Sequence, residues 1–408
     1  MSETINVRCC IVGGGPAGIM AGWLLARAGV DVVVLEKHAD FFRDFRGDTI
    51  HPSTLELMHE LGVLEAFLKR PHQEVRELSA QIGDTLTPIA DFTHLPTACK
   101  FLALMPQWDF LNFAAEQARR YPGFRLEMEA SVTDLIVENG LVAGARAVTP
   151  RGELNIGADL VIGADGRNST VREQAGLAIH DLGAPIDVLW FSLSHKPGDP
   201  LQTLGRVDNG SIMIMLDRRE YWQCAFVIHK GALVEMQARG IERFREDLVK
   251  LVPSMSDRAS ELRDWNDIKL LTVKVDRLAT WYRPGLLCIG DAAHAMSPIG
   301  GVGINLAIQD AVAAANILAA PLAARTVSTE TLRAVQRRRE FPTRVTQGVQ
   351  VFIQNQAISR VLGSTQRMSP PLPVRLLGRW PLLRRLPALA VGLGVRPEHI
   401  RTPDILAR

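Results

Sequence analysis

The chain opens on a short apolar run, Val7-Arg8-Cys9-Cys10-Ile11-Val12, that stops at Gly13-Gly14-Gly15-Pro16-Ala17-Gly18. Apolar residues then recur at helical spacing to about Ala28, where Gly29 is a stop signal. Val32-Val33-Val34-Leu35-Glu36 follows as an unbroken β-branched run. A run without alternation suits a parallel strand covered on both faces. The first 36 residues therefore predict β-α-β with glycines at the first turn.

Further along, 78–97 reads as loop and short strand, and 110–120 as a helix ended by Pro122-Gly123. Strand-like pieces at 124–137 and 140–149 flank an Asn139-Gly140 turn signal, and 160–163 is another short apolar strand. The texture changes between Asp187 and Asp276. Strands at 186–194, 211–216 and 221–229 predict an antiparallel sheet of its own, inserted in the first domain. A helix over 233–251 and a strand over 268–278 follow, then a buried-type strand at 286–289 that delivers Gly290-Asp291. An Ala-rich helix runs from Gly303 to about Ala320, stopped by Pro321. From Ser369 the tail carries seven of the 23 prolines and cannot be one long helix. The fold class is α/β with mixed α+β character.

Composition changes this picture little. With 408 residues, 47% apolar and 22% charged, the chain can bury a sizeable core, and disorder or a polytopic membrane protein is excluded. No run of 18 apolar residues suggests a span. The net charge of +2 argues against nucleic acid as a partner. That total hides an asymmetry: 367–408 holds eight Arg, no Lys, and the acids Glu398 and Asp404, giving +6, so 1–366 sums to −4. The five Cys lack metal-ligand spacing and imply small buried thiols in a reducing, cytoplasmic compartment, with no metal site.

Gly13-x-Gly15-x-x-Gly18 permits a tight turn, with Pro16 and Ala17 opening a helix whose N–H groups meet a pyrophosphate. Glu36, with Lys37 beside it, ends the second strand about twenty residues on, where an acid accepts from a ribose hydroxyl. This motif leaves FAD and NAD undivided. Gly163-Ala164-Asp165-Gly166-Arg167-Asn168-Ser169 and Gly290-Asp291-Ala292-Ala293-His294 are two further strand ends bearing an acid. Pro298-Ile299-Gly300-Gly301-Val302-Gly303-Ile304-Asn305 leads into a helix, and its N–H donors suit the negative charge of a reduced flavin pyrimidine ring.

Three such motifs in this order resemble the single-component FAD-dependent monooxygenases of the para-hydroxybenzoate hydroxylase type, from Val7 to Ala320. The resemblance implies that Gly13, Gly15 and Gly18 hold the FAD pyrophosphate, Glu36 the adenosine ribose, and Gly290-Asp291 the flavin-side sugar chain. It implies that Pro298, Gly301, Gly303, Ile304 and Asn305 cup the isoalloxazine, and that Asp165 serves both FAD and nicotinamide nucleotide. Arg46 and Gln107 are further FAD contacts by the same likeness. It also implies NADH or NADPH as a transient co-substrate and O2 as oxidant, with oxygen transferred through a flavin C4a-hydroperoxide. The implied division is an FAD-binding domain from 1–75, 98–180 and 277–365, a substrate sheet from 76–97 and 181–276, and a helical cap over 366–408.

No catalytic base stands out. His51 is a weak candidate, and its bland role is to cap the helix after Pro52; His294 reads as structural. In this family the middle sheet floors the pocket. Its runs Val188-Leu189-Trp190-Phe191-Ser192 and Ile212-Met213-Ile214-Met215-Leu216 carry no Arg or Lys to grip a carboxylate. An apolar aromatic, polycyclic or quinone-like substrate follows. The alternatives are epoxidation or reduction of an isoprenoid and, without a WxWxIP segment, flavin halogenation. The Arg-, Leu- and Trp-rich tail reads first as a cap whose Arg pair with the acidic body, and second as a membrane-surface contact.

Overall fold

The computed structural model describes residues 3–42, 49–199, 204–364 and 366–407. Its strands begin with β1 (Glu3–Val12), β2 (Val32–Leu35), β3 (Thr49–Ile50), β4 (Gln73–Val75), β5 (Glu77–Ile82), β6 (Thr85–Asp91) and β7 (Leu102–Leu104). Next come β8 (Phe124–Glu127), β9 (Ser131–Glu138), β10 (Leu141–Thr149), β11 (Gly152–Gly163), β12 (Ile179–Asp181) and β13 (Ile186–Ser194). The remainder are β14 (Leu204–Asp208), β15 (Ser211–Asp217), β16 (Tyr221–His229), β17 (Lys269–Leu271), β18 (Asp276–Leu278), β19 (Tyr282–Arg283) and β20 (Leu286–Cys288). The helices are α1 (Pro16–Arg27), α2 (Pro52–Glu60), α3 (Leu64–Leu68), α4 (Gln107–Ala118), α5 (Thr170–Gln174) and α6 (Leu233–Arg239). They continue with α7 (Ile241–Leu251), α8 (Gly303–Ala324), α9 (Thr329–Ile353), α10 (Ser359–Leu362), α11 (Leu372–Arg379) and α12 (Arg385–Gly392).

An eight-stranded sheet carries the first motif, with the parallel order β20-β11-β1-β2-β8 at its centre. Its unbroken apolar strands are buried on both faces, with α1 and α8 packed together on one side. A parallel sheet requires this, because helical crossovers cover it. The C-terminal strand ends of this Rossmann-like sheet converge beside the end of β1, and the three glycine- and acid-bearing turns meet there.

The second sheet has seven strands in the order β17-β13-β16-β15-β14-β5-β6. Alternation divides it cleanly. Leu189, Phe191, Met213, Trp222 and Phe226 face α7 in one core, while Ile186, Val188, Ile212, Ala225 and Val227 face the other way, toward Val351, Ile358 and Val361. β5 and β6 lie far from the other strands in sequence yet join them through the parallel pair β14–β5.

Four elements depart from the sequence pattern. The helix expected over 233–251 is two, broken at Gly240, whose φ of +89° no helix accommodates. The strand expected over 268–278 is also two. Between them Val273 turns out of the ladder, its N–H donating to the buried Asp187 carboxylate (3.0 Å). Pro321 does not stop α8, which ends three residues later at Ala324, with Arg325 after it in the left-handed region. A proline this near a C-terminus forfeits one hydrogen bond without breaking the axis. Finally, α9 carries no apolar stripe for periodicity to find, since its inward positions are largely Gln, Arg and Thr.

One helical stretch, 299–324, is long and apolar enough to cross a membrane, although no run of 18 apolar residues occurs; 72% of its most apolar window is buried within the protein. The tail folds as α11, a short 3-10 turn and α12 against β6. Its charge is used differently from the expectation. Among the described residues Arg367 is the one arginine of the tail that pairs with a body acid, Asp84, at 2.6 Å, while the tail's His399 meets Glu60. The main ion pairs run the other way, with the tail's Glu398 gripped by Arg338 (2.5 Å) and Arg339 (3.3 Å).

Candidate active site at the glycine turns

β1 ends at Val12, and Gly13 turns the chain with a φ of +109°. The 163–166 turn lies directly over it: a Cβ at Gly13 would sit 2.4 Å from the Ala164 carbonyl oxygen. A Cβ at Gly18 would sit 1.9 Å from the Gly13 carbonyl, so the third glycine lets α1 approach the turn. Gly15 differs, because a Cβ there would meet open space. It precedes α1, which has no side-chain cap, no acid in its first turn, and Pro16 where an N–H would be spare. The remaining first-turn N–H groups therefore face outward with the positive end of the helix dipole. An FAD pyrophosphate fits this cradle.

Glu36 is buried at the end of β2. Its Oε2 accepts from the Gly14 N–H and its Oε1 from the His38 N–H, both at 3.0 Å. A Cβ at Gly14 would lie 2.8 Å from that of Glu36, so the unheralded middle glycine is fixed by the acid beside it. Lys37 is exposed. Arg46 lies outside the described residues. Gln107 opens α4, half-buried, and its side chain makes no hydrogen bond among the described residues.

Asp165 lies against Gly13 and accepts from the Ser169 hydroxyl (2.5 Å) and the Val171 N–H (3.1 Å), tying the turn to the start of α5. Burial pushes its carboxyl above the usual range against those bonds. Arg167 of the same turn reaches Asp291 at 3.3 Å, so the second and third motifs are joined by an ion pair that leaves both side chains partly exposed.

Behind Asp291 lies a buried charge cluster that the sequence did not announce. The Asp310 carboxylate of α8 accepts from the Gly290 N–H (3.0 Å), His294 Nε2 (2.5 Å) and Arg339 Nε (2.9 Å). Burial alone would raise the Asp310 carboxyl; the adjoining His294 and Arg339 outweigh it and hold the carboxyl below its ordinary value. His294 is thus placed as a structural link between the Gly290 turn and α8.

The last turn places Gly300 and Gly301 in succession at φ of +76° and +62°, a conformation that only glycine adopts without strain. Pro298 precedes them, and Gly303 and half-buried Ile304 begin α8, whose N-terminus carries neither a cap nor an acid. Asn305 is buried and fully engaged: its Oδ1 accepts from His51 N–H (3.0 Å) and the Thr54 hydroxyl (2.7 Å), and its Nδ2 donates to the Thr49 carbonyl (3.1 Å). It therefore clamps β3 and α2 to the glycine turn. α9 supports the same turn from beneath. Gln347 donates to the Ala295 carbonyl, Gln350 to those of Ser297 and Ile299, and Gln354, just past the end of α9, to the Ser297 hydroxyl.

His51 is buried against this turn. Its side chain does not cap α2. Nδ1 donates to the Val391 carbonyl at 2.6 Å, linking the turn to α12, and a Cβ on Gly301 would lie 3.8 Å from Nε2. Burial pushes the imidazole down to about 4, against the pull of the Val391 and Gly300 carbonyls. A ring so held is neutral and weakly basic at neutral pH.

The face of the seven-stranded sheet turned toward α9, α10 and α12 is partly exposed at its middle. Trp190 and Ala225 pair across β13 and β16, Ile214 pairs with Ala225 from β15, and Ile214 is 40% exposed. Val391 and Leu393 of the tail pack at one side with Leu78 and Leu216; Val351 and Val361 pack at the other.

A family model described as an FAD binding domain matches residues 6–349. The chain is 35% identical over 392 residues to 6-methylpretetramide 4-monooxygenase of Streptomyces rimosus, covering 94% of this chain and 91% of that protein. It is 28% identical over 314 residues to rifampicin monooxygenase of Streptomyces venezuelae, covering 74% of this chain and 61% of that one. The crystal structure of p-nitrophenol 4-monooxygenase from Pseudomonas putida matches with a TM-score of 0.76 at 22% identity, over 95% of this chain and 97% of that chain.

Proposed function

The chain belongs to the FAD-dependent aromatic hydroxylases and monooxygenases of the para-hydroxybenzoate hydroxylase type, and from that premise we propose that its substrate is a fused-ring, polyketide-like aromatic compound. The observation that carries this reading is the apolar character of that sheet face. Its flavin-side positions on β13, β15 and β16 include Trp190, Ile214, Leu216 and Ala225, with no Arg or Lys among Ile186, Val188, Ser192, Ile212, Gln223 and Val227 either. Lys269 of the edge strand β17 pairs with Trp190, but its Nζ donates to the Asn266 carbonyl (2.9 Å), and the three central strands offer a small benzoate no cationic partner. A flat apolar polycycle would find an indole, a branched aliphatic wall and an alanine floor. The similarity to 6-methylpretetramide 4-monooxygenase over nearly the full chain supports the same class.

The site residues divide the labour as follows. Gly13, Gly15, Gly18 and the α1 N-terminus would hold the FAD pyrophosphate; Glu36 would receive the adenosine ribose. Asp291 would meet the flavin-side sugar chain, and the backbone from Pro298 to Ile304 would cup the flavin ring, with Asn305 and the α9 glutamines keeping that backbone in place. Bound FAD supplies the redox chemistry, accepting hydride from NAD(P)H and activating O2 for transfer of one oxygen atom to the substrate. The protein's part is to orient the substrate over that ring and to keep water out, which the apolar sheet face and the α10 and α12 walls do. The sheets also support the division in which 76–97 and 181–276 bind substrate, since β5 and β6 join the inserted strands.

The test is a screen of phenolic tricyclic and tetracyclic compounds against the holoenzyme, reading accelerated flavin reduction by NADH and NADPH and a mass gain of one oxygen from labelled O2. Tight binding and coupled turnover of para-hydroxybenzoate, or halide-dependent chlorination, would overturn the proposal.

A further inference from the structure

Gln223 stands out as a buried polar residue at the end of this largely apolar sheet face. It lies on β16, paired with Ser192 of β13 and Leu216 of β15, so all three point to the side that carries Trp190, Ala225 and Ile214. Directly paired residues share a face, and a step of two along a strand spans about 7 Å, roughly the length of an aromatic ring and a half. An aromatic system resting on Trp190, Ala225 and Ile214 therefore has Gln223 at its end.

The amide is oriented. Arg218 Nε lies 3.0 Å from its Oε1, and a guanidinium only donates, so that atom is the oxygen and the other is the NH2. That NH2 is buried without a hydrogen-bond partner, in a residue only 4% exposed. Buried donors are almost always paired, and one left open at the end of a binding face marks a place where a ligand atom completes the bond. Across the ladder, the Ser192 hydroxyl is exposed and adds a second polar group at the same end. A neutral amide donor suits a carbonyl or phenolic oxygen, and the arginine behind it is turned to the amide's own oxygen.

We propose that Gln223, oriented by Arg218, donates a hydrogen bond to a ring carbonyl or phenolic oxygen of the substrate and so sets which edge of a fused-ring aromatic faces the flavin. Gln223 is the substrate-contacting residue and Arg218 the positioning residue. The inference rests on the substrate class proposed above and adds the polar group by which that class is registered.

The test uses FAD-loaded protein and a dihydroxyanthraquinone as probe, with binding read by calorimetry and apo stability by thermal melting. Gln223→Glu keeps the oxygen that accepts from Arg218 and replaces the donor with a repelling one; Gln223→Leu removes both. The expected result is that both variants weaken binding at least tenfold, or about 1.4 kcal/mol, while Gln223→Glu melts within about 2 °C of wild type. Arg218→Met should weaken binding less than Gln223→Glu does, because the amide remains but is no longer oriented. Unchanged affinity in Gln223→Glu would overturn the inference and leave the substrate class standing. Failure of the wild type to bind the probe would sink the substrate class and this inference with it. A large loss of melting temperature in Gln223→Glu would show a structural amide and also overturn it.

Discussion

Replacing Asp310 by Asn tests whether the turn that presents Gly290 and Asp291 is held by buried charge. The carboxylate takes three hydrogen bonds, from Gly290, His294 and Arg339, and all of these groups are shielded from solvent. An amide of the same shape has one acceptor oxygen, so at least one donor is orphaned. The loss of charge falls on Arg339, whose remaining acid among the described residues is Glu398 at 3.3 Å. Breaking a buried pair by removing one partner costs about 3–5 kcal/mol. Because Glu398 retains part of the compensation, about 3 kcal/mol is the expected value, a sizeable share of a typical total of about 5–15 kcal/mol. Urea unfolding followed by tryptophan fluorescence should show the midpoint falling with little change in slope. Arg339→Met should cost a similar amount, and Asp310→Asn with Arg339→Met should cost clearly less than the sum, since no lone charge is then buried. A single-variant loss below about 1 kcal/mol, or strict additivity in the pair, would refute the reasoning.

Two further outcomes follow from single positions. Gly13→Ala adds a Cβ 2.4 Å from the Ala164 carbonyl at a φ of +109°, so the purified protein should contain little or no FAD, measured as the ratio of absorbance at the flavin and protein bands, while the seven-stranded sheet remains folded. His51, with its imidazole lowered from 6.5 to about 4, binds a proton more readily unfolded than folded; stability is therefore fully present above pH 6.5 and falls as pH drops toward 4, by about 3 kcal/mol for this group. His51→Gln should flatten that limb in pH-dependent urea titrations, and an unchanged limb would assign the pH dependence elsewhere.

The glycine turns were legible because their chemistry is local. A strand, a positive-φ glycine and an uncapped helix occur within a few residues, and the conformation at Gly13 or at Gly300-Gly301 follows from the residue itself. The strands at Ile186–Ser194 and Tyr221–His229 were legible for the same reason, since their alternation or apolar continuity is written in nine consecutive residues. What failed depended on distant partners. Val273 leaves its ladder because of Asp187, 86 positions away, and Glu398 is an anchor because Arg338 and Arg339 are waiting for it. Charge arithmetic located the basic tail correctly but not the direction of its ion pairs.

The long helix α9 shows why pattern reading loses sight of this site's supports. Its inward stripe runs Gln336, Arg339, Thr343, Gln347 and Gln350 and continues into Gln354 just past its end, with spacings of three and four, the geometry of a buried face built largely from polar residues. Hydrophobic periodicity cannot register such a helix. The reason lies in what the helix faces. On either side of β19 and β20, at 279–281 and again over 293–298, the backbone is irregular, and an irregular buried backbone has no ladder to satisfy its N–H and C=O groups. Glutamine supplies a donor and an acceptor on one arm: Gln336 meets Trp281 N–H and the Ala279 carbonyl, and Gln350 meets Ser297 from both ends. A turn free enough in its own backbone to cup a flavin must borrow its rigidity from somewhere else. Here a polar helix lends it, so the residues that fix the site's shape are the ones that a search for apolar stripes passes over.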